Sequence, residues 1–256
     1  MRIVLNTRQT LEENAKRYFE AAKKARHKAH GAQKAIEEWR RRQATPAPER
    51  TAKQVATRPR KREWYEKFRW CFSSDGFLLI GGRDATTNEM LIKHHAEKGD
   101  VVFHTDMAGS PFVVIKAGEK EVPSRTLDEA AQFCAAFSRA WKNGFSVLEV
   151  FHVTPDQVTK EPNPGEYLPK GAFMIRGKTI YHRPQLKAAI GLDKEGRVMA
   201  GPPDAVAAHC AKSIEILQGN EKTSDVAKEL RKRLGGEIDE IVAALPPGGC
   251  RLPPSR

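Results

Sequence analysis

The chain has 256 residues, 39% of them hydrophobic, enough for one well-packed core with smaller units beside it. No apolar run approaches the roughly 18 to 20 residues that span a bilayer, and the N-terminus lacks the continuous apolar stretch of a secretory signal. Of 44 Lys and Arg, 18 fall in residues 1–63, against 7 of the 32 Asp and Glu, so nearly all of the +12 net charge sits in an N-terminal arm.

Thr10-Leu11-Glu12-Glu13 has the form of a capping box, a hydroxyl followed three residues later by a carboxylate. Beyond it Leu11, Ala15, Tyr18, Ala22, Ala25, Ala29, Ala32, Ile36 and Trp39 recur at spacings of four and three, a coiled-coil seam of about four heptads. Lys and Arg cover the other faces, among them Lys23, Lys24, Arg26 and Lys28. A basic arm on a balanced body calls for a densely negative partner such as nucleic acid. A membrane partner is not expected, because the arm's apolar residues are mostly alanine rather than bulky anchors. Thr45-Pro46-Ala47-Pro48 must interrupt the helix. Residues 49–56 then either fold back as a hairpin or run as a basic linker into Arg58-Pro59-Arg60-Lys61-Arg62.

Aromatic density rises from Trp64, marking a packed domain. Residues 69–73 and 77–80 read as a hairpin around Ser74-Asp75-Gly76, and residues 101–104 and 112–116 as strands. For 88–95 periodicity leaves open a helix or a strand. A second capping box, Thr126 to Glu129, predicts a helix running to Lys142. Residues 146–153 predict a strand, and 172–176 with 179–182 a hairpin turning at Gly177. Residues 205–216, 223–234 and 238–245 predict three helices. The fold class is α+β, with a mixed, mainly antiparallel sheet and packed helices, preceded by a coiled-coil helix or helical hairpin and followed by a small helical segment. The expected divisions are a basic arm and linker (1–63), an RNA-binding domain (64–191) and a C-terminal helical segment with a tail (192–256). Cys71, Cys134, Cys210 and Cys250 form no C-x-x-C pair, which disfavours a zinc ribbon and fits a reducing cytoplasm.

Three strings, WYEKFRWCFSSDGFLLIGGRDATTNEMLIKHH, GDVVFHTDMAGSPFVVIK and GEYLPKGAFMIRGK, resemble the NFACT-R domain of the NEMF and RqcH ribosome quality-control proteins, in order and over about half the chain. NTRQTLEENAKRYFEAAKKA is similar to the start of that family's middle coiled coil. The resemblance implies binding to a stalled large ribosomal subunit, its ribosomal RNA and tRNA. Nothing in the sequence resembles the family's NFACT-N or helix-hairpin-helix segments, so the expected form is a standalone NFACT-R protein of a kind associated mainly with archaea. A separate NFACT-N-containing factor is then a further expected partner. The other functional class is an enzyme or accessory acting on free tRNA.

Within these strings Gly81-Gly82-Arg83-Asp84 ends an apolar strand and leads to Asn88. Two glycines would admit a phosphate close to the backbone, and Arg83 would grip it with two hydrogen bonds. Asp100, His104 and Asp106 would share one strand face by alternation, as RNA contacts. A metal or acid–base centre would need a further ligand that the sequence does not supply. Arg176 and Lys178 flank a hairpin tip suited to phosphate, with Gln157 and Lys160 in the preceding loop and Tyr167 as a base-stacking candidate. No catalytic residue, metal ligand or cofactor is expected.

Overall fold

The structure, a computed structural model, describes residues 4–7, 10–44, 62–162, 168 and 170–254. The expected break at 45–48, the piece at 49–56, Arg58 to Lys61 and Tyr167 lie outside the described residues. The chain divides into two units, residues 1–60 and 61–256.

In the first unit helix α1 (Leu11–Ala44) is a continuous rod of 34 residues, about 50 Å long. Its capping box forms: the Glu13 amide donates to Thr10 Oγ1 at 3.2 Å, and the Thr10 amide donates to Glu13 Oε2 at 2.9 Å. Residues 4–6 fold back on the first two turns. The buried Asn14 amide donates to the carbonyls of Asn6 and Thr10, and the Tyr18 hydroxyl bonds Val4. The seam residues whose side chains are described, including Leu11, Ala15, Tyr18, Ala22 and Ile36, are exposed.

The second unit opens with a 3-10 turn (Trp64–Lys67) and then β1 (Arg69–Phe72), β2 (Leu78–Gly81), α2 (Ala85–His95), β3 (Val101–His104) and β4 (Val113–Lys116). Next come α3 (Ser124–Ala136), α4 (Arg139–Lys142), β5 (Val150–Val153), β6 (Val158–Thr159), β7 (Met174–Ile175) and β8 (Ile180–His182). The chain ends with β9 (Ala188–Asp193), β10 (Val198–Gly201), α5 (Pro203–His209), β11 (Cys210–Glu221), α6 (Thr223–Leu234), α7 (Ile238–Ala244) and β12 (Cys250–Arg251). The class is α+β. A six-stranded antiparallel sheet runs β1-β2-β4-β3-β5-β8, a four-stranded one β10-β9-β11-β12, and β6 pairs with β7. Successive residues such as Leu79 and Ile80, or Val113 to Ile115, are fully buried, so both faces of the central strands are covered. Helix α3 lies on β3, β4 and β5.

Several boundaries differ from expectation. Thr126 does not cap α3: it lies inside the helix, fully buried, its hydroxyl 2.7 Å from Asp75 Oδ2 and 2.9 Å from Ser73 Oγ. Glu129 accepts from the Ser74 amide and hydroxyl, so the supposed box ties the β1–β2 turn to α3. The helix does not reach Lys142 unbroken. Ser138 donates to the Ala135 carbonyl and accepts the Ala140 amide, ending one helix and capping the next. Residues 172–176 and 179–182 do not pair with each other: β7 joins β6 and β8 joins β5.

The second and third expected C-terminal helices form as α6 and α7, but the first is cut short: of 205–216 only 205–209 is helical, and β11 takes over, with Ile214 and Ile216 as β-branched residues on one strand face. The expected division at 192 falls inside β9. The two sheets meet where β10 lies beside β1, with Gly201 so close that an added Cβ would stand 2.8 Å from the Cys71 sulfur. His209 Nε2 is 2.7 Å from the Ser73 carbonyl, and the Trp141 indole donates to the Gly249 carbonyl at 3.3 Å. All four cysteines are free thiols in the core.

Candidate nucleic-acid interface

The corner between β2 and α2 is built by packing. A Cβ on Gly81 would stand 3.1 Å from Phe133, and one on Gly82 only 1.9 Å from Asn88 Oδ1. Asn88 is buried; its Oδ1 accepts the Phe112 amide at 3.0 Å and its amide donates to the Ser110 carbonyl at 3.4 Å. The amides that might have faced a phosphate are spent inside the protein. Gly82 donates to the Phe112 carbonyl, while Arg83 and Asp84 donate to Thr87 Oγ1 at 2.8 and 2.9 Å. Asp84 caps α2 by accepting the Thr87 amide at 2.8 Å, and that bond holds its carboxyl below the usual carboxylate range. Gly81, Gly82, Asp84 and Asn88 thus shape this corner from within.

Asp100 and His104 stand at opposite ends of β3, about 13 Å apart along the strand. Asp100 is buried, takes Lys116 at 2.5 Å and accepts the amides of Glu97, Ala117 and Gly118, tying the turns at that end. Asp106 is exposed in the following loop, where Thr105 and Ser110 hydroxyls lie 2.5 Å apart. His104 is partly buried with its ring 4.0 Å from that of Phe112. Burial lowers its pKa, so the imidazole is neutral at pH 7. The three residues that alternation placed on one face therefore serve three different places.

His104 does line a cleft of about 400 Å³, together with Arg69, Gly82, Arg83, Asp84, Asn88, Ser110, Phe112, Phe137, Lys170, Phe173 and Pro247. Two guanidiniums sit at one end. Arg69 Nη1 donates to the carbonyls of Leu245 at 2.9 Å and Ala243 at 3.4 Å. Arg83 donates to the Phe68 carbonyl at 2.8 Å and to those of Glu66 and Ala243 at 3.4 Å. Both therefore close on the C-terminal carbonyls of α7, where cations are favoured by the helix dipole. Neither forms an ion pair among the described residues, and the Nε and Nη2 donors of Arg69 have no acceptor there. Burial, with Arg83 adding to it, pulls the Arg69 pKa down to about 10, still fully charged at neutral pH. The Arg69 guanidinium lies 4.7 Å over the Phe137 ring.

The remaining residues lie around this cleft or apart from it. Gln157 donates to the carbonyls of Arg176 at 2.7 Å and Lys178 at 3.0 Å and accepts the Thr154 amide at 3.0 Å, pinning the turn rather than offering its amide outward. Arg176 and Lys178 are exposed on that turn, and Arg176 reaches the Glu161 carbonyl. Lys160 stands 4.6 Å over the Phe173 ring and 3.8 Å from Glu89. On α1, Lys23, Arg26 and Lys28 are exposed; the Lys24 side chain is outside what the structure describes. Sequence reading missed Arg69, Lys170 and Phe173. Arg69 sits in a strand and its partners lie some 170 residues away, so only Lys170 and Phe173, inside the string GEYLPKGAFMIRGK, carried a local signal.

A family model described as the NFACT protein RNA binding domain matches residues 67–177. The Archaeal Rqc2 homolog aRqcH of Methanocaldococcus jannaschii is 40% identical over 80% of this chain and 31% of its own length. That share exceeds what residues 1–177 can supply, so the similarity continues into the C-terminal sheet. The Ribosome quality control complex subunit NEMF homolog of Drosophila melanogaster is 40% identical over 64% of this chain and 17% of its own, and human NEMF is 38% identical over 67% and 16%. The chain thus spans less than a third of each of these relatives. The chain carries an NFACT-R domain of the NEMF/RqcH family.

Proposed function

We propose that this protein is a non-catalytic RNA-binding component of ribosome quality control, acting in the cytoplasm on the large subunit's ribosomal RNA and on tRNA. The observation that carries the reading is the cationic cleft inside the matched window, where Arg69, Arg83 and Lys170 face a single carboxylate, Asp84, among the described lining residues. The exposed Lys23, Arg26 and Lys28 of α1 add sequence-independent phosphate affinity. The relatives' names place them in ribosome quality control, and a factor carrying an NFACT-N domain is a further proposed partner.

The test is crosslinking of the tagged protein to RNA in cells followed by sequencing, with Lys170→Glu beside the wild type. Sites concentrated on large-subunit ribosomal RNA, with or without tRNA, and reduced by the substitution are the expected result. Crosslinks confined to free tRNA would remove the ribosome from the reading, and no specific RNA would overturn it.

A further inference from the structure

The cleft has properties that general phosphate affinity does not require. Surface lysines alone suffice to track an RNA backbone, yet here three cations open onto a recess walled by apolar groups. Its volume of about 400 Å³ exceeds what a lone phosphate fills and lies in the range of small-ligand sites. Arg69 keeps two donors without an acceptor among the described residues, and one face of its guanidinium is already covered by Phe137. Phe173 and Pro247 form the apolar wall. His104, neutral, supplies a polar edge rather than another charge.

We propose that this cleft holds one unpaired nucleotide of RNA, its base between Phe173, Pro247 and the Arg69 plane and its phosphate toward Arg83 and Lys170. The assignment rests on the RNA-binding reading above and deepens it. A paired base has its faces and its pairing edge occupied, so only a bulged, looped or terminal nucleotide can enter a recess of this kind. Stacking on a guanidinium or an aromatic ring is tolerant of base identity, so the site selects an unstacked position before it selects a sequence. The backbone carbonyls that hold Arg69 and Arg83 fix the cations before the ligand arrives.

The test compares two RNA hairpins of one sequence, with and without a single bulged nucleotide, for affinity to the full chain, to Phe173→Ala and to Lys170→Glu. Thermal melting shows that each variant is folded. The expected result is tighter binding of the bulged hairpin by tenfold or more, a preference lost in both variants. In parallel, adenosine and uridine monophosphates should shift the amide resonances of Gly109, Ser110 and Gly171 more than inorganic phosphate does. Equal affinity for the two hairpins would overturn the nucleotide site and leave the RNA-binding reading intact. Binding of neither hairpin would overturn both. Monophosphate shifts at the cleft without any bulge preference would assign the recess to free nucleotides and overturn its RNA role.

Discussion

Gly82 and Asn88 are locked face to face: a Cβ on the glycine would fall 1.9 Å from the asparagine Oδ1 that holds the Phe112 amide. No rotamer change relieves this without releasing a buried amide, because Asn88 also bonds the Ser110 carbonyl. Gly82→Ala should therefore destabilise the second unit by about 1–3 kcal/mol, the usual scale for overpacking, seen as a lowered urea midpoint at unchanged slope. An unaltered midpoint would mean that the corner can open freely.

Asp100 answers a different question, whether a buried carboxylate in the matched window contacts RNA. With Lys116 at 2.5 Å and three amides donating to it, its removal leaves those amides without their acceptor, while Lys116 keeps Glu97 at 2.8 Å and the His95 carbonyl at 2.9 Å. Asp100→Ala should cost about 1–3 kcal/mol, while RNA affinity of the fraction that remains folded stays unchanged. Selective loss of RNA binding with unaltered stability would contradict this placement.

Three histidines set the acid response. His95, His104 and His152 all have pKa values lowered from the ordinary 6.5 chiefly by burial, and at His152 the neighbouring His182 adds to the effect. Each stays neutral when folded and takes a proton more readily when unfolded. Stability should be full above pH 6.5 and fall as the pH drops below it, levelling only below the folded values. His152 Nδ1 lies 2.8 Å from His182 Nε2, so one ring must accept while the other donates. His182 also stands 3.5 Å from Asp128. The slope of Tm against pH should be smaller in His152→Gln, and an identical slope would exclude that pair as a contributor.

For the arm, Lys23, Arg26 and Lys28 changed together to Glu should weaken RNA binding and flatten its dependence on salt. Each phosphate of single-stranded RNA that the arm ceases to neutralise takes about 0.7 off the slope of log affinity against log salt. Titrations between about 50 and 200 mM salt resolve a change of that size. An unchanged slope removes α1 from the interface.

Gln157 predicts a local effect instead. Gln157→Ala deletes bonds to two carbonyls and one amide, about 1 kcal/mol each at most. Hydrogen exchange should quicken in the turn at residues 176–178 while the core strands keep their protection.

What the sequence made legible was what local chemistry controls. The Thr10 box, the β1–β2 turn at Ser74 to Gly76, and the helix ending at Gly235 with its basic last turn follow from neighbouring residues. Where expectation failed, the deciding partner was remote. Thr126 and Glu129 sit at capping spacing, yet the turn at Ser73 to Asp75 claims both side chains. Ile214 and Ile216 fit either period, and pairing with β9 settles them as strand. The site divided in the same way. Arg83, Asn88 and His104 stood out in their strings as RNA-contact candidates and line the cleft, whereas Arg69 looked like an ordinary strand position until the carbonyls of Ala243 and Leu245 were beside it.

Those two carbonyls lie well outside residues 67–177. A fragment cut at residue 177 would keep every amino acid of the matched window and lose both carbonyl acceptors of Arg69 and one of the three, at 3.4 Å, of Arg83. It would also lay bare Cys71 and Phe133 where Gly201 now covers them. The window that the family model matches is therefore smaller than the stretch that must fold as one. A graft of this domain onto another protein should be bounded by the last strand, β12, and not by the end of the matched window.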